Sequence, residues 1–305
     1  MIELAVIVLR LVQYSAASVL MGSALFFFYA LPAQGPGSAA ELWWPKRLLL
    51  GAALLLTFGA LLGLAAQTAS LADALTVESL NAVVTEMDLG KAALARSALA
   101  FLALVYIGLV RCGRALWLGA GGLGTLACTT FGWMGHGAAT EGGCQALHLV
   151  ADVLHVLAAA LWLGALVGFA ALVAPRNQDR DRVQATAAAL DRFSWLGIAF
   201  VATLAATGLV NVWFLVGRDI RGALHDPYGQ LLVLKLLLFA GMVALAAIHR
   251  QRSVPALVAI LSSRAPPQRG ALMSLRRSLL AEALLGFAVL ATVAWLGTLA
   301  PPTSL

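Results

Sequence analysis

The side chains best suited to chemistry gather between residues 131 and 166, in FGWMGHGAATEGGCQALHLVADVLHVLAAALWLGAL. This stretch holds three of the five histidines, one of the three cysteines, one of the six methionines and two carboxylates. His148, Asp152 and His155 are spaced four and then three apart, which puts them on one face of a helix, and Trp162 continues the stripe. Met134 and His136 come just before them, and a turn through Gly142-Gly143 brings His136 back over His148. Imidazole, thiolate and thioether suit copper, whereas zinc takes imidazole, thiolate and carboxylate. A carboxylate one turn from each of two histidines either orients the rings or binds the metal itself. The candidate ligands are therefore His136, His148, His155 and Asp152, with Met134 and Cys144 behind them. Cu(I) would favour the two sulfur ligands, and Cu(II) the histidines with Asp152. The plainer alternative is interfacial histidines and a packing methionine.

A second set of polar residues lies inside apolar surroundings: Arg10, Gln13, Arg96, Thr207, Asn211, Lys235 and Glu282. Ionisable groups at membrane depth are costly and mark sites or anchors. A Lys235–Asp152 ion pair would resolve two such charges at once; otherwise Lys235 snorkels to the headgroups. Glu282 reads as an anchor paired with a basic residue on a neighbouring helix, and Arg10, Gln13 and Arg96 as buried anchors.

These residues are carried by a chain made for lipid. Hydrophobic residues are 61% of the 305 and charged ones only 11%, against roughly a quarter in soluble domains; mean hydropathy is +0.91. About twenty apolar residues cross a membrane. On that scale eight spans are expected, at Ile2–Ala30, Arg47–Ala69, Ala92–Val110, Ala115–Trp133, His148–Val173, Phe193–Val216, Leu231–His249 and Leu275–Ala300. The fold class is thus an all-α polytopic bundle. The first apolar run lacks a small-residue cleavage site and reads as a span rather than a signal peptide. The second connection, 70–91, is acidic and carries a short surface helix, and Ser253–Leu261 lies along the interface.

Lys and Arg concentrate in the odd-numbered connections and at their helix ends, among them Lys46, Arg47, Arg111, Arg114, Arg176 and Arg180. The positive-inside rule puts those connections in the cytoplasm and both termini outside. The basic balance, with a pI near 9.7, comes from these scattered ends and not from a nucleic-acid-binding patch. No G-x-S-x-G, H-E-x-x-H, C-x-x-C or Walker motif occurs, so no enzyme is expected. Glycines inside the spans suit close helix packing, and three cysteines give no disulfide framework.

Four segments carry a family resemblance: GHG at 135–137 with HLVADVLHVLAAALWLGAL at 148–166, TGLVN at 207–211, PYGQLLVLKLLLFAGMVALAAIHR at 227–250, and RRSLLAEALLGFAVLATVAWLGTLAPP at 276–302. The chain resembles the CopD family of bacterial copper-resistance inner-membrane proteins, including PcoD-like proteins and the membrane part of YcnJ-like proteins. The resemblance covers nearly the whole chain as one transmembrane domain, most strongly over 131–302. It implies copper import or tolerance at the cytoplasmic membrane, beside a separate periplasmic CopC-type partner. Carried over, the ligands are His136, His148 and His155 with Asp152 as neighbour, and Lys235, Asn211, Glu282, Arg10 and Trp162 give buried support. Two other readings stand beside it. One is a redox protein holding b-type haem between helices. The other is an assembly factor that supports cuproenzyme maturation without transport.

Overall fold

The computed structural model describes residues 2–30, 44–134, 144–173, 180–217, 222, 224–248, 251 and 269–302. Among them nine helices and no strand are found: α1 Ile2–Ala30, α2 Trp44–Leu71, α3 Val77–Glu86, α4 Asp88–Leu109, α5 Arg114–Thr129, α6 Gln145–Leu172, α7 Arg180–Val216, α8 Pro227–Ile248 and α9 Arg269–Leu296. Seven are long and apolar enough to cross a membrane. The expected fourth span is α5, with 16 α-helical residues and a four-residue 3₁₀ turn, Thr130–Trp133, continuing it. The expected surface helix is α3. It opens on a reciprocal cap, in which the Thr76 hydroxyl accepts from the Ser79 amide at 3.0 Å and Ser79 Oγ accepts from the Thr76 amide at 3.0 Å. The expected interfacial segment Ser253–Leu261 lies outside the described residues.

Helix ends differ from the expected spans because apolarity marks the hydrocarbon, while caps and breakers mark the helix. Thus α8 begins at Pro227, whose missing amide proton costs nothing at a first helical position, and not at Leu231. The widest difference is α7, which starts at Arg180 rather than Phe193. At 37 residues it is about 55 Å long, so it extends beyond a hydrocarbon core of roughly 30 Å. At its other end Gly217 takes the left-handed φ of 67° and donates to Trp213 O at 3.2 Å, closing the helix.

The bundle packs α2 between α1 and α4, α5 against α4 and α1, α6 against α1 and α7, and α9 against α8, α1 and α6. Its tightest approach is between α1 and α6. There Val19–Ser23 forms a π-turn, and Ser23 Oγ donates to Gly164 O at 2.8 Å. A Cβ on Gly22 or Gly164 would run into the other helix's backbone. Such close contact is how helices associate where lipid tails are as apolar as leucine. Outward-facing Phe58, Leu62, Phe101, Leu209, Trp213 and Leu237 are exposed and form the lipid-facing belt.

Polar chemistry separates the two ends. At one end Lys46 Nζ donates to Val110 O at 2.9 Å, Arg192 reaches Ala30 O at 3.3 Å, and Arg114 lies over the Phe28 ring. Each cation there caps a helix C-terminus or covers an aromatic face. At the other end Arg10, near the start of α1, lies against Gly297, just past the end of α9. Arg10 of α1 and Gly297 beyond α9 thus lie at the same end of the bundle.

Two measurements check this frame. Replacing Gly164 by Leu should destabilise the bundle by about 1–3 kcal/mol or more through overpacking, read as a lowered melting temperature in detergent. An impermeant maleimide added to spheroplasts should label exposed Cys144, and reach half-buried Cys112 only after permeabilisation. The opposite pattern would invert the expected orientation.

Candidate functional site

The expected stripe on α6 meets a matching stripe on α7 running the other way. His148 stacks on Phe214, with ring centroids 4.5 Å apart and planes 11° apart. One turn deeper, Asp152 Oδ1 accepts from Asn211 Nδ2 at 2.6 Å. The next turn pairs His155 Nδ1 with Thr207 Oγ1 at 2.9 Å. The α7 partners fall at 214, 211 and 207, an antiparallel counterpart to 148, 152 and 155. The α6 stripe continues to Trp162, whose indole N–H donates to Glu282 Oε1 of α9 at 2.9 Å. Trp162 and Glu282 are both buried.

The hydrogen bonds orient the ring of His155. Thr207 has one hydroxyl proton and a short contact of 2.6 Å to Thr203 O, which leaves its oxygen to accept from His155 Nδ1–H. In the neutral ring Nε2 then carries the lone pair, and it makes no hydrogen bond among the described residues. This is the neutral tautomer that ligates metal, with the other ring nitrogen held by a partner.

His155 faces a cavity of about 590 Å³ lined by α1, α6, α7, α8 and α9 and, at the end of α5, by Cys128, Phe131, Gly132 and Met134. Most of the wall is apolar; the polar groups include Arg10, Tyr14, Asp152, Asn211, Tyr228 and Lys235. His148 is fully buried and does not line it. Its Nε2 lies 4.0 Å from Asp152 Oδ2, so the ring sits behind the carboxylate rather than beside His155. Lys235 and Asp152 share the cavity and lie within electrostatic reach of each other, but the expected direct ion pair is not made. Asn211 takes the carboxylate, and Lys235 forms no hydrogen bond or ion pair within 4.0 Å among the described residues.

The other candidates are placed differently. His136 lies outside the described residues. Cys144 is exposed at the start of α6. Met134 is turned to Arg96, whose Nη1 donates to its Sδ at 2.6 Å. Arg96 is fully buried and also donates to Gln13 Oε1 at 2.7 Å and Thr130 Oγ1 at 2.8 Å, with its Cζ 3.8 Å from the Phe131 ring centroid. Among the described residues no three His, Cys, Asp or Glu side chains come together as a metal-holding group. The donors lining the cavity are the His155 imidazole, the Asp152 carboxylate and the Met134 thioether, types that suit copper. Sequence reasoning missed Tyr228, which joins the cavity wall one residue after the helix-starting Pro227, and Phe214, which carries no polar signal.

Comparison with known proteins gives this geometry its context. Copper resistance protein D matches residues 187–296, and the copper resistance protein D-like N-terminal domain matches residues 1–147. A copper resistance protein D from Pseudomonas syringae pv. tomato is 35% identical over 302 residues, covering 97% of this chain and 96% of that protein. The chain belongs to the copper resistance protein D family. The copper transport protein CutJ of Bacillus subtilis is 30% identical over 168 residues, 55% of this chain and 28% of its own length. Inner membrane protein YebZ of Escherichia coli is 34% identical over 122 residues, 40% of this chain and 41% of its own. No solved structure matches the chain. His148, Asp152 and His155 fall between the two stretches that the family models match. Within this multi-pass copper-resistance family, the roles of these three residues are argued from geometry.

The Asp152–Asn211 rung has a measurable worth. Asn211→Leu removes the amide that donates to Asp152 Oδ1 at membrane depth. The expected cost is about 1–3 kcal/mol, read as a drop in melting temperature that Asn211→Gln partly restores.

Proposed function

We propose that this chain handles copper at a bacterial cytoplasmic membrane, taking the ion at the outward end of the cavity for import or tolerance. The observation that carries the reading is His155, whose Nδ1 is held by Thr207 so that Nε2 offers its lone pair at the cavity wall. Asp152 is the neighbouring anionic donor. His148 and Asn211 hold that carboxylate in place from behind and from the side. His136, in the connection just before α6, is the candidate that adds a further imidazole. Imidazole with carboxylate favours Cu(II), and Met134, the nearby thioether, is already engaged by Arg96. Family membership supports the copper assignment, and the name of the Bacillus relative supports transport. Basic residues at the opposite end support an outward-facing site, where a separate periplasmic carrier of the CopC type would deliver or collect the ion. The protein acts here as a carrier or receiver of its cargo, with no catalytic residue.

Metal analysis and absorption spectra of purified protein, titrated with Cu(II) and separately with Cu(I) under reductant, test this reading. About one copper per chain is expected. Thr207→Val should weaken binding about 10- to 100-fold by releasing the ring from its orienting partner, and His155→Ala should weaken it further. Unchanged stoichiometry in a His148→Ala/His155→Ala protein would sink the site assignment. A Soret band in the purified protein would turn the reading to haem.

A further inference from the structure

The cavity carries a cation that neither copper handling nor packing explains. Arg10 lines it and is 6% exposed, yet its guanidinium makes no hydrogen bond or ion pair among the described residues. Its Nε is buried without a partner. Behind it, within electrostatic reach, is the fully buried Arg96, whose hydrogen-bond partners Gln13, Thr130 and Met134 are all neutral. Across the cavity wall Lys235 and the Asp152 carboxylate offset one another electrostatically. Two positive charges are left, Arg96 held by neutral hydrogen-bond acceptors and Arg10 with no partner among the described residues. An unpaired buried charge in a membrane is among the costliest arrangements a protein can keep.

The shape of the cavity tells what could neutralise that charge. At about 590 Å³ it has the size of a small-molecule site, typically ~300–1,000 Å³, and is far too large for a single ion. Its wall beyond the polar groups is mainly Ala, Leu, Val and Phe, with Trp162 and Met242. It also reaches the lipid side. α7 packs on α6 and α8 packs on α9, and these two consecutive helices meet each other chiefly at their outward ends, through Val216, Tyr228 and Leu231. Below that contact the cavity separates them. Two residues that line it, Leu209 of α7 and Leu236 of α8, are 73% and 51% exposed on the lipid-facing surface.

We propose that this cavity binds a membrane-soluble amphiphile with an oxyanion head, a carboxylate or a phosphate, that enters from the lipid between α7 and α8. The head is held by the Arg10 guanidinium, whose planar fork matches carboxylate and phosphate oxygens, and the hydrocarbon body lies along the apolar wall towards Trp162 and Phe239. Bound there, the oxyanion supplies the charge that Arg10 lacks. The argument does not depend on the copper reading, since His155 takes no part in it.

The test uses the full-length protein in nanodiscs of neutral phosphatidylcholine, probed separately with palmitate, phosphatidylglycerol and inorganic phosphate by native mass spectrometry. Saturable binding of one palmitate or one phosphatidylglycerol per chain is expected, and which of the two binds identifies the source of the head. Arg10→Gln should weaken that binding about tenfold or more, and Arg10→Lys should recover most of it. Equal binding by the wild type and Arg10→Gln overturns the proposal, as does binding of inorganic phosphate alone or of no probe. A second readout needs no change at Arg10. Stearate bearing a nitroxide along its chain should quench the fluorescence of Trp162, identified as the part lost in Trp162→Phe; absence of that quenching also overturns it. Copper titration of Arg10→Gln keeps the two readings apart, because a failure of the copper site alone leaves amphiphile binding intact.

Discussion

Polar side chains buried in hydrocarbon have no water to fall back on, so each must find its partner within the protein. Between α6 and α7 three contacts answer that requirement, His148 on Phe214, Asp152 with Asn211 and His155 with Thr207. Much of the rest of the site depends on that ladder. α7 is otherwise a lipid-facing helix, with Trp195, Leu209 and Trp213 exposed. Apolar burial cannot set its register, because lipid tails compete equally well for leucine. Sliding α7 by one residue would break two hydrogen bonds and a ring stack together. The ladder therefore locates the helix and, in the same act, holds His155 Nδ1 against Thr207.

A second consequence concerns the far side of the cavity. With α7 committed to α6, and α8 committed to α9, the space between α7 and α8 is left open among the described residues. The π-turn in α1 works in the same direction. It lets Gly22 and Gly164 meet closely at mid-membrane, which brings Arg10 and Tyr14 of α1 to the wall opposite the ladder. Local extra turns of this kind recur at functional sites. Here one joins the tightest contact in the bundle to a wall of its open volume.

How much of this the sequence disclosed follows from what each signal measures. Apolar run length disclosed the spans, and the four-then-three spacing disclosed the α6 stripe. The true ends of α7 and α8 were hidden, because Arg180–Asp191 is too polar to count as a span and Pro227 starts a helix before the apolar run begins. Depth along a helix is legible, but the direction across the bundle is not. Lys235 and Asn211 lie at comparable depths, and only the packing of α7 against α6 shows that the amide takes Asp152. The contact between Met134 and Arg96 was hidden for the same reason. The two are 38 residues apart in sequence, and no spacing rule reaches that far.

Electrostatics links the two proposed occupants of the cavity. A copper ion approaching His155 gains from Asp152, but it also meets the fields of Lys235, Arg10 and Arg96. At an effective dielectric of about 20, like unit charges ~8 Å apart repel by about 2 kcal/mol, and a divalent ion feels twice that from each. One carboxylate does not offset three cations. An oxyanion on Arg10 removes one of these repulsions and screens Arg96 behind it, so the cavity that holds the amphiphile is the better receiver for the metal. By linkage the metal then favours the amphiphile by the same free energy. The coupling needs no moving part, only two charges of opposite sign in a common low-dielectric space whose walls are already set by the ladder and the glycine contact.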